Sequence, residues 1–259
     1  MKIIIENTAK CETFVALFSH MKHFAEHINF MFQDDGFFVQ GMDMTHVIIF
    51  EVTLPKTWFH VFELTQNVTI GINTNIMAKV LSVYDKTQQI EMSTDPDSDI
   101  FCIQYLQSSN KLVFDKTFEI PLLDIEYELL EIPEIDYQAE ITLNSNVFAT
   151  LVSQLKQFGE NMTITCSEEN ILLSAHSLEK GKMMTNIPID DLQEYSIEED
   201  QTLELSFALK YISEVAMYQK VAKHIAIFIS QDYPMKLLYT LDDEHARLVF
   251  FMAPKMGDA

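Results

Sequence analysis

The stretch ETFVALFSHMKHFAEHINFMFQDDGFFVQGM, residues 12–42, decides the fold because it occurs twice in the chain. It aligns without a gap on NVFATLVSQLKQFGENMTITCSEENILLSAH, residues 146–176, at a constant separation of 134 residues. Six identities carry the alignment: Phe14 with Phe148, Leu17 with Leu151, Ser19 with Ser153, Lys22 with Lys156, Phe24 with Phe158 and Glu26 with Glu160. An internal repeat of this length predicts two similarly folded halves.

Each copy predicts a helix followed by two strands. In the first copy apolar residues recur at helical spacing, at Phe14, Leu17, Met21 and Phe24. The following residues predict two strands around a tight turn, at Asp35 and Gly36 in the first copy and at Glu169 and Asn170 in the second. A weaker pairing sets residues 74–86 against residues 209–220, each a short helix followed by strands. Each half is therefore predicted to contain strands and two helices.

The connector between the halves is FEIPLLDIEYELLEIPEIDYQ, residues 118–138. It contains Pro121, Pro133, many carboxylates and many large apolar residues. A segment so apolar is expected to lie along a surface of the protein, because free in solution it would expose its apolar side chains to water. The predicted domains are residues 1–117 and 139–259, with the connector at 118–138.

Composition indicates a folded protein inside the cell. The 259 residues, 48% of them hydrophobic, can bury a substantial core. No apolar run is long enough to span a bilayer, and the N-terminus becomes polar too soon for a signal peptide, so no membrane association is expected. The three cysteines, Cys11, Cys102 and Cys166, form no C-x-x-C pair and are predicted to be reduced and buried.

The net charge of −22 argues against a general attraction to nucleic acid, so a DNA-binding function requires positive charge gathered in one place. Arg247 is the single arginine, which argues against bidentate reading of guanine. On a helical wheel, four lysines lie away from the apolar stripes of the predicted helices: Lys22, Lys79, Lys156 and Lys210. Helical lysines are commonly just solvated. A functional interpretation is favoured because Lys22 and Lys156 recur at one repeat position.

Three histidines, His20, His23 and His27, have a helical spacing that could hold a metal ion. The second copy has Gln154, Gln157 and Asn161 at these positions. A polar helix face explains both copies, so no metal site is predicted.

The chain resembles the proliferating cell nuclear antigen family, the eukaryotic and viral DNA sliding clamps, over essentially its whole length. The resemblance rests on the duplication, the connector and five motifs in order: MDMTHV at 42–47, LEIPEIDY at 130–137, LSFALKYI at 205–212, FISQDYPMKLLY at 228–239 and LVFFMAPKM at 248–256. It implies an α+β DNA clamp fold with two similar domains, each with two helices packed on antiparallel sheets. Three chains would form a ring, with the helices lining the central channel.

The resemblance also assigns site residues. Near Phe118, an edge at residues 110–118 would pair with residues 182–187 of the next subunit. The channel residues facing DNA would be Lys22, Lys79, Lys156, Lys210, His20 and His23. The pocket for partner peptides would be lined by Met42, His46, Val47, Leu130, Ile132, Pro133, Pro234, Phe251, Met252, Ala253 and Pro254.

The function implied by the resemblance is that of a DNA polymerase processivity factor, a homotrimer that encircles duplex DNA. It would recruit the polymerase, the clamp loader, ligases and nucleases through their short peptides, in the nucleus or in a cytoplasmic viral replication compartment. No catalytic residue or cofactor is expected, since the sequence has no nucleophile motif or P-loop. One alternative is an adaptor that binds partner peptides without encircling DNA. The other alternative is an enzyme that uses Asp43, His46 or the three histidines. Such an enzyme would need a convergent acid/base pair, and the second copy preserves none of these residues except a displaced His176.

Two departures from the family pattern affect these expectations. Val15, Ala16, Ser82, Ser153 and Met217 stand where the family commonly has lysine or arginine. The DNA contact would then be weaker, or would use His20 and His23. Residues 167–169, Ser-Glu-Glu, replace the loop whose lysine is modified by ubiquitin in cellular members.

Overall fold

A computed structural model describes residues 1–95, 98–107, 110–126, 128–242 and 245–255. The chain divides into two compact units. The first unit comprises Met1–Met44, Phe50–Leu130 and Leu241–Leu248, and the second comprises Thr45–Ile49, Glu131–Thr240 and Val249–Ala259. Each unit takes a short segment from the other half of the chain. The continuous domains 1–117 and 139–259 remain a prediction.

The N-terminal half contains nine strands and two α-helices in the part of the chain that is described. They are β1 (Lys2–Ile5), α1 (Thr8–His20), β2 (His27–Gln33), β3 (Gly36–Met42), β4 (Ile48–Pro55), β5 (Val61–Glu63), β6 (Val68–Asn73), α2 (Thr74–Leu81), β7 (Gln89–Ser93), β8 (Ile100–Leu106) and β9 (Lys116–Pro121). One antiparallel sheet has the order β5-β1-β7-β8-β9, and β4, β3, β2 and β6 are neighbours in another. A 3₁₀ turn, Met21–His23, follows α1 directly.

The C-terminal half repeats this plan. Its elements are β10 (Ala139–Asn144), α3 (Ser145–Leu155), β11 (Asn161–Cys166), β12 (Ile171–Ser177), β13 (Gly181–Ile187), β14 (Glu194–Ile197), β15 (Leu203–Ala208), α4 (Leu209–Val215), β16 (His224–Ile229), β17 (Met235–Thr240) and β18 (Arg247–Met252). One sheet has the order β13-β12-β11-β15, and β14, β10, β16, β17 and β18 are neighbours in another. The predicted helix and hairpin of each repeat are confirmed, as are the two later helices.

Asparagine starts three of the four α-helices. The side chains of Asn7, Asn73 and Asn144 each accept a hydrogen bond from a backbone N–H in the first turn of α1, α2 and α3. Such a cap satisfies donors that the helix leaves open and is worth ~1 kcal/mol. Ala208 precedes α4 without a side-chain cap. Within the described ranges, no helix combines the length and apolar character needed to cross a membrane.

Both predicted hairpin turns are wrong by one residue. In the first copy Gln33 pairs with Gly36 across the hairpin, so the loop lies one residue before the predicted pair Asp35 and Gly36. In the second copy the amide of Ser167 donates to the carbonyl of Asn170 at 3.0 Å, and β12 begins only after Asn170. Local composition was enough to predict that a hairpin forms at each place. Which residues lie in the loop depends on how the two strands pair, and composition does not show this.

The two units fill their cores differently. The first packs phenylalanine rings together: the Phe30 centroid lies 4.9 Å from that of Phe18 and 5.1 Å from that of Phe37. The second packs mainly aliphatic side chains around Phe148 and leaves an apolar cavity of about 10 Å³ beside Ile164. This cavity is at the lower limit for holding a water molecule.

The cysteines are free thiols, and two of the three are buried as predicted. Burial raises the pKa of Cys166 to about 12, so this thiol stays protonated. The expectation is wrong for Cys102, which is half-exposed on β8. It alternates with Phe101 and Ile103, whose side chains point into the core, and therefore points to the opposite face of the sheet.

Candidate functional sites

The four predicted channel lysines are all exposed. Lys79 lies in α2 and Lys210 in α4, as expected. The predicted helices of the repeat extend too far, however: Lys22 lies in the 3₁₀ turn after α1, and Lys156 is the first residue after α3. In the part of the chain that the structure describes, none of these four ammonium groups has a carboxylate within 4.0 Å. Their charge is therefore available to an anion.

In the second unit the two lysines are linked through one serine. Lys156 Nζ donates to Ser213 Oγ at 2.8 Å, and Ser213 Oγ donates to the carbonyl of Lys210 at 2.7 Å. A groove of about 440 Å³ runs beside Lys156 between α3 and the residues of and after α4. Ser153 and Met217, two positions where the resemblance leads us to expect lysine or arginine, also line it. The lining of the groove mixes polar and apolar side chains, and Lys156 is the charged residue among those that line it.

In the first unit α2 packs against α1 and the 3₁₀ turn, so Lys79 and Lys22 lie on neighbouring elements. The rings of His20 and His23 are 6.2 Å apart. Partial burial, and then the charge of Lys22, lower the pKa of His23 below its usual value. At neutral pH His23 therefore offers hydrogen bonds rather than positive charge.

The three histidines do not share one helix face. α1 ends at His20, His23 lies in the 3₁₀ turn, and His27 is the first residue of β2. Among the described residues, no group of three His, Cys, Asp or Glu side chains is arranged to hold a metal ion.

The connector crosses the first unit's sheet, over β6, β2 and β3 in turn. The amide of Leu123 donates to the carbonyl of Gly71 on β6 at 3.0 Å, and Asn29 Nδ2 on β2 donates to the carbonyl of Ile125 at 3.5 Å. A Cβ on Gly71 would clash with the Leu123 carbonyl oxygen, so only glycine permits this approach. The prediction that the connector lies along a surface is confirmed.

Gln40 on β3 makes the third attachment. Its Nε2 donates to the Leu130 carbonyl at 2.9 Å, and its Oε1 accepts from the Leu130 amide at 2.8 Å. Nε2 also donates to Glu51 Oε1 at 2.9 Å. Met42 lies two residues along the same strand, and therefore on the same face as Gln40. Two predicted pocket residues, Met42 and Leu130, are thus brought to one face of β3.

In the second unit, one contact joins two predicted pocket residues and another places the connector beside a third. The amide of Ala253 donates to the carbonyl of Val47 at 3.0 Å. The Tyr137 hydroxyl donates to the carbonyl of Pro234 at 3.4 Å, and its ring lies 5.6 Å from that of Phe228. The end of the connector therefore lies beside Pro234.

The remaining predicted pocket residues differ in exposure. Pro133 is exposed, and Ile132, Phe251 and Pro254 are half-buried. Met252 is 0% exposed because β18 alternates, turning Phe251 outward and Met252 into the core. The side chain of Met252 therefore cannot line a surface pocket, although its neighbours can.

The loop before β4 is held by a hydroxyl pair. Thr45 Oγ1 and the Tyr211 hydroxyl are 2.6 Å apart. His46 is exposed and has a φ of 60°, in the left-handed region that few non-glycine residues adopt. The imidazole is thus presented to solvent by a constrained backbone.

Sequence reasoning missed Asn29, Gln40 and Gly71 as connector contacts, and Tyr211 as a loop contact. Asn29 carried a signal, because it is a polar residue in the middle of a strand that is otherwise buried on both faces. Buried polar groups are nearly always hydrogen-bonded, which predicts a partner for such a residue. Gln40 alternates with apolar residues in β3 and could not be told from a solvated strand residue.

Each unit has an open sheet edge with exposed apolar side chains. β9 is the edge of the first unit's five-stranded sheet, and Phe118 on it is half-buried, with its ring 5.4 Å from that of Tyr105. Just before β9, Leu112 is 85% exposed and Phe114 is 76% exposed. β13 is an edge of the second unit's four-stranded sheet and carries Met184, which is 52% exposed.

Comparison with known proteins assigns the family. The family model for the proliferating cell nuclear antigen N-terminal domain matches residues 7–129, and that for the C-terminal domain matches residues 131–255. Proliferating cell nuclear antigen of Chaetomium thermophilum is 26% identical over 243 residues, which cover 92% of each chain. This protein belongs to the proliferating cell nuclear antigen family and has its α+β DNA clamp fold. Family membership supports a role as a sliding clamp in DNA replication, a non-enzymatic scaffold that assembles with DNA and replication proteins.

Proposed function

We propose that this protein is a DNA polymerase processivity factor, of which three copies close into a ring around duplex DNA. The observation that carries this proposal is the pair of open, apolar edges, β9 on one unit and β13 on the other. Unpaired edges invite association, and two different edges on one chain suit a head-to-tail interface that closes by rotation. Phe118 would lie in that interface.

The lysines supply the proposed DNA contact. Lys22, Lys79, Lys156 and Lys210 are exposed, near helices, and unpaired with carboxylates within the described ranges. Contacts with phosphates position a protein without reading sequence, and a few weak ones permit sliding. Because the net charge is −22, retention on DNA would come from encirclement rather than affinity. His20 and His23 would add hydrogen bonds to the same surface.

Partner peptides are proposed to contact predicted pocket residues within each unit separately. These are Met42 and Leu130 in the first unit, and Val47, Ala253 and Pro234 in the second. The flexible thioether of Met42 can repack around different aromatic anchors. His46 would offer a polar contact. The partners would be the polymerase, the clamp loader, ligases and nucleases.

A non-enzymatic role needs no metal or cofactor, and we propose none. The proposed location is the nucleus, or a cytoplasmic replication compartment if the chain is viral.

The proposal is tested by the solution mass of the purified protein, measured by light scattering over a concentration series. A mass near three times the 30.0 kDa of one chain supports the ring. A monomer at every concentration contradicts it, because one chain of two domains cannot surround a duplex. In that case an adaptor that binds partner peptides without encircling DNA becomes the better explanation. The low charge of the groove beside Lys156 would fit such an adaptor.

A further inference from the structure

Gln88, just before β7, is a buried polar residue, 3% exposed, that joins both arms of the turn leading into β9. Its Nε2 donates to the carbonyls of Tyr105 and Phe114, at 3.1 and 3.0 Å. Its Oε1 accepts from Lys116 Nζ at 3.0 Å. The amide thus uses both of its N–H donors and its carbonyl oxygen within the protein.

These bonds hold the loop at residues 110–115, called here the edge loop. The loop is also ordered internally, since the Asn110 side chain accepts from the Leu112 amide at 3.0 Å and the Asn110 carbonyl accepts from the Val113 amide at 2.9 Å. Removing Gln88 would leave the buried carbonyl of Tyr105 and the carbonyl of Phe114 without this donor. The edge loop would then have fewer constraints on its position.

The fold of a single chain does not explain why this loop is held so firmly. Its two large apolar side chains, Leu112 and Phe114, are 85% and 76% exposed. An ordered loop that presents such residues to water beside an open strand edge is typical of an interaction surface. A loose loop could fold these side chains back, whereas the bonds of Gln88 keep the Phe114 backbone in place.

We propose that Gln88 is a positioning residue for self-association, which holds the edge loop so that Leu112 and Phe114 contact a second copy of this chain. The proposed binding partner is a second copy of this chain for two reasons. The edge loop continues directly into β9, the proposed subunit edge, and β13, the edge proposed to pair with it, carries the exposed side chain of Met184. This inference rests on the proposed ring. It adds that an internal amide, outside the interface, sets the strength of assembly.

A purely structural role for Gln88 makes a different prediction. Thr94 provides the matched control, because it is a buried polar residue at the opposite end of β7, 8% exposed, whose Oγ1 donates to the Ile100 carbonyl at 2.9 Å. Thr94→Val keeps the shape of the side chain and removes that bond. It should lower the melting temperature without changing assembly.

The experiment measures the trimer dissociation constant of the full chain by analytical ultracentrifugation. We expect Gln88→Ala to raise this constant about tenfold. Phe114→Ser should raise it at least as much, and Thr94→Val should leave it unchanged. In Gln88→Ala/Phe114→Ser the effects should be less than additive, because Gln88 acts through the loop. In dissociated chains, compared at the same low protein concentration, hydrogen exchange of residues 110–116 should be faster in Gln88→Ala than in wild type or in Thr94→Val.

If Gln88→Ala does not fold, Lys116→Met removes one of the three bonds from a more accessible position and should produce a smaller increase. A trimer whose dissociation constant is unchanged in the Gln88 and Lys116 variants overturns the inference and leaves the ring standing. An equal change in Thr94→Val also overturns it. A wild-type chain that never assembles overturns the ring, and this inference with it.

Discussion

The two repeats build the same elements from different side chains. Phe30 and Ile164 occupy equivalent positions, at the constant separation of 134 residues. Phe30 is 0% exposed among other aromatic rings, whereas Ile164 is 3% exposed and borders a small apolar cavity. The shared feature is the spacing of apolar residues, which sets the elements and the buried face. Different apolar residues can occupy a given core position, provided that the neighbouring side chains fill the rest of the core volume.

The units also hold the connector differently. The first binds its backbone, through Gly71, Asn29 and Gln40. The second unit binds mainly the side chains near the end of the connector. There Gln138 Oε1 accepts from Ser230 Oγ at 3.1 Å and from the Gln231 amide at 2.9 Å. Backbone contacts set the path of a segment whatever its side chains, so the first unit determines where the connector begins to run.

The largest expected effect is on the aromatic core. Phe30→Ala should lower the free energy of unfolding of the first unit by ~3–5 kcal/mol, because it removes a ring packed on several others. Ile164→Ala should lower that of the second by only ~2–3 kcal/mol, since Ile164 is smaller and already borders a cavity on one side. Urea unfolding of the two variants measures both values. Equal decreases would mean that the difference in packing has no energetic consequence.

Two glycines give the next comparison. Gly71→Ala should displace the connector and destabilise the protein by ~1–3 kcal/mol, because the new Cβ would meet the Leu123 carbonyl. At Gly181 no atom lies within 4 Å of the position of a new Cβ, and the backbone φ is 83°. Gly181→Ala should therefore destabilise the protein only by the ~1 kcal/mol that a non-glycine residue costs in the left-handed region. Hydrogen exchange of residues 122–126 should rise in the first variant alone. Unchanged exchange there would show that the connector tolerates the shift.

The connector attachments should also differ in their effect on partner binding. Gln40→Ala frees the Leu130 backbone and should weaken a clamp-binding peptide about three- to tenfold, because the connector must then be ordered on binding. Gln138→Ala, farther along, should have a smaller effect. Titration of each variant with a fluorescent peptide measures this, and an equal or larger loss of affinity in Gln138→Ala would reverse the assignment.

Charge reversal compares the channel faces. Lys22→Glu and Lys210→Glu should each reduce the processivity of the polymerase, which is the length of DNA that it synthesises per binding event. Neither substitution should change the melting temperature of the protein. Lys56→Glu, in an exposed turn between β4 and β5, is the control and should have no effect. Loss of a lysine that contacts a phosphate should also reduce the salt dependence of DNA binding, by ~0.9 in the logarithmic slope. Unchanged processivity would contradict the channel assignment.

The smallest effect concerns pH. Burial, and then the charge of Glu194, raise the pKa of Glu140 above its ordinary value, while Lys236 opposes them. Between the ordinary and the raised pKa the folded state binds more protons than the unfolded state, so stability falls as pH rises through this window. Glu140→Gln should therefore be more stable than wild type at neutral pH, by less than ~1 kcal/mol, and should lose this advantage in acid. Glu179→Gln, at an exposed position, is the control for the loss of one negative charge, and urea unfolding across pH compares the two variants.

Local sequence features predicted much of the fold. The spacing around Phe14 and Leu17 identified the first helix, and the repeat carried that prediction to the second half. The helix ends were wrong, because the apolar spacing continues through Met21 and Phe24 after the α-helix has become a 3₁₀ turn. The resemblance, rather than periodicity, supplied the site residues, and it could not reveal that Met252 faces the core.

The sequence by itself determined the duplication, the surface position of the four lysines and the existence of a connector, because each depends on spacing along the chain. Only the tertiary structure decided which polar residues hold the connector and the edge loop. Gln40 lies 90 residues from Leu130, and Gln88 lies 26 from Phe114. Hydrogen bonds between such distant residues leave no periodic pattern, since they depend on which strands become neighbours when the sheets form.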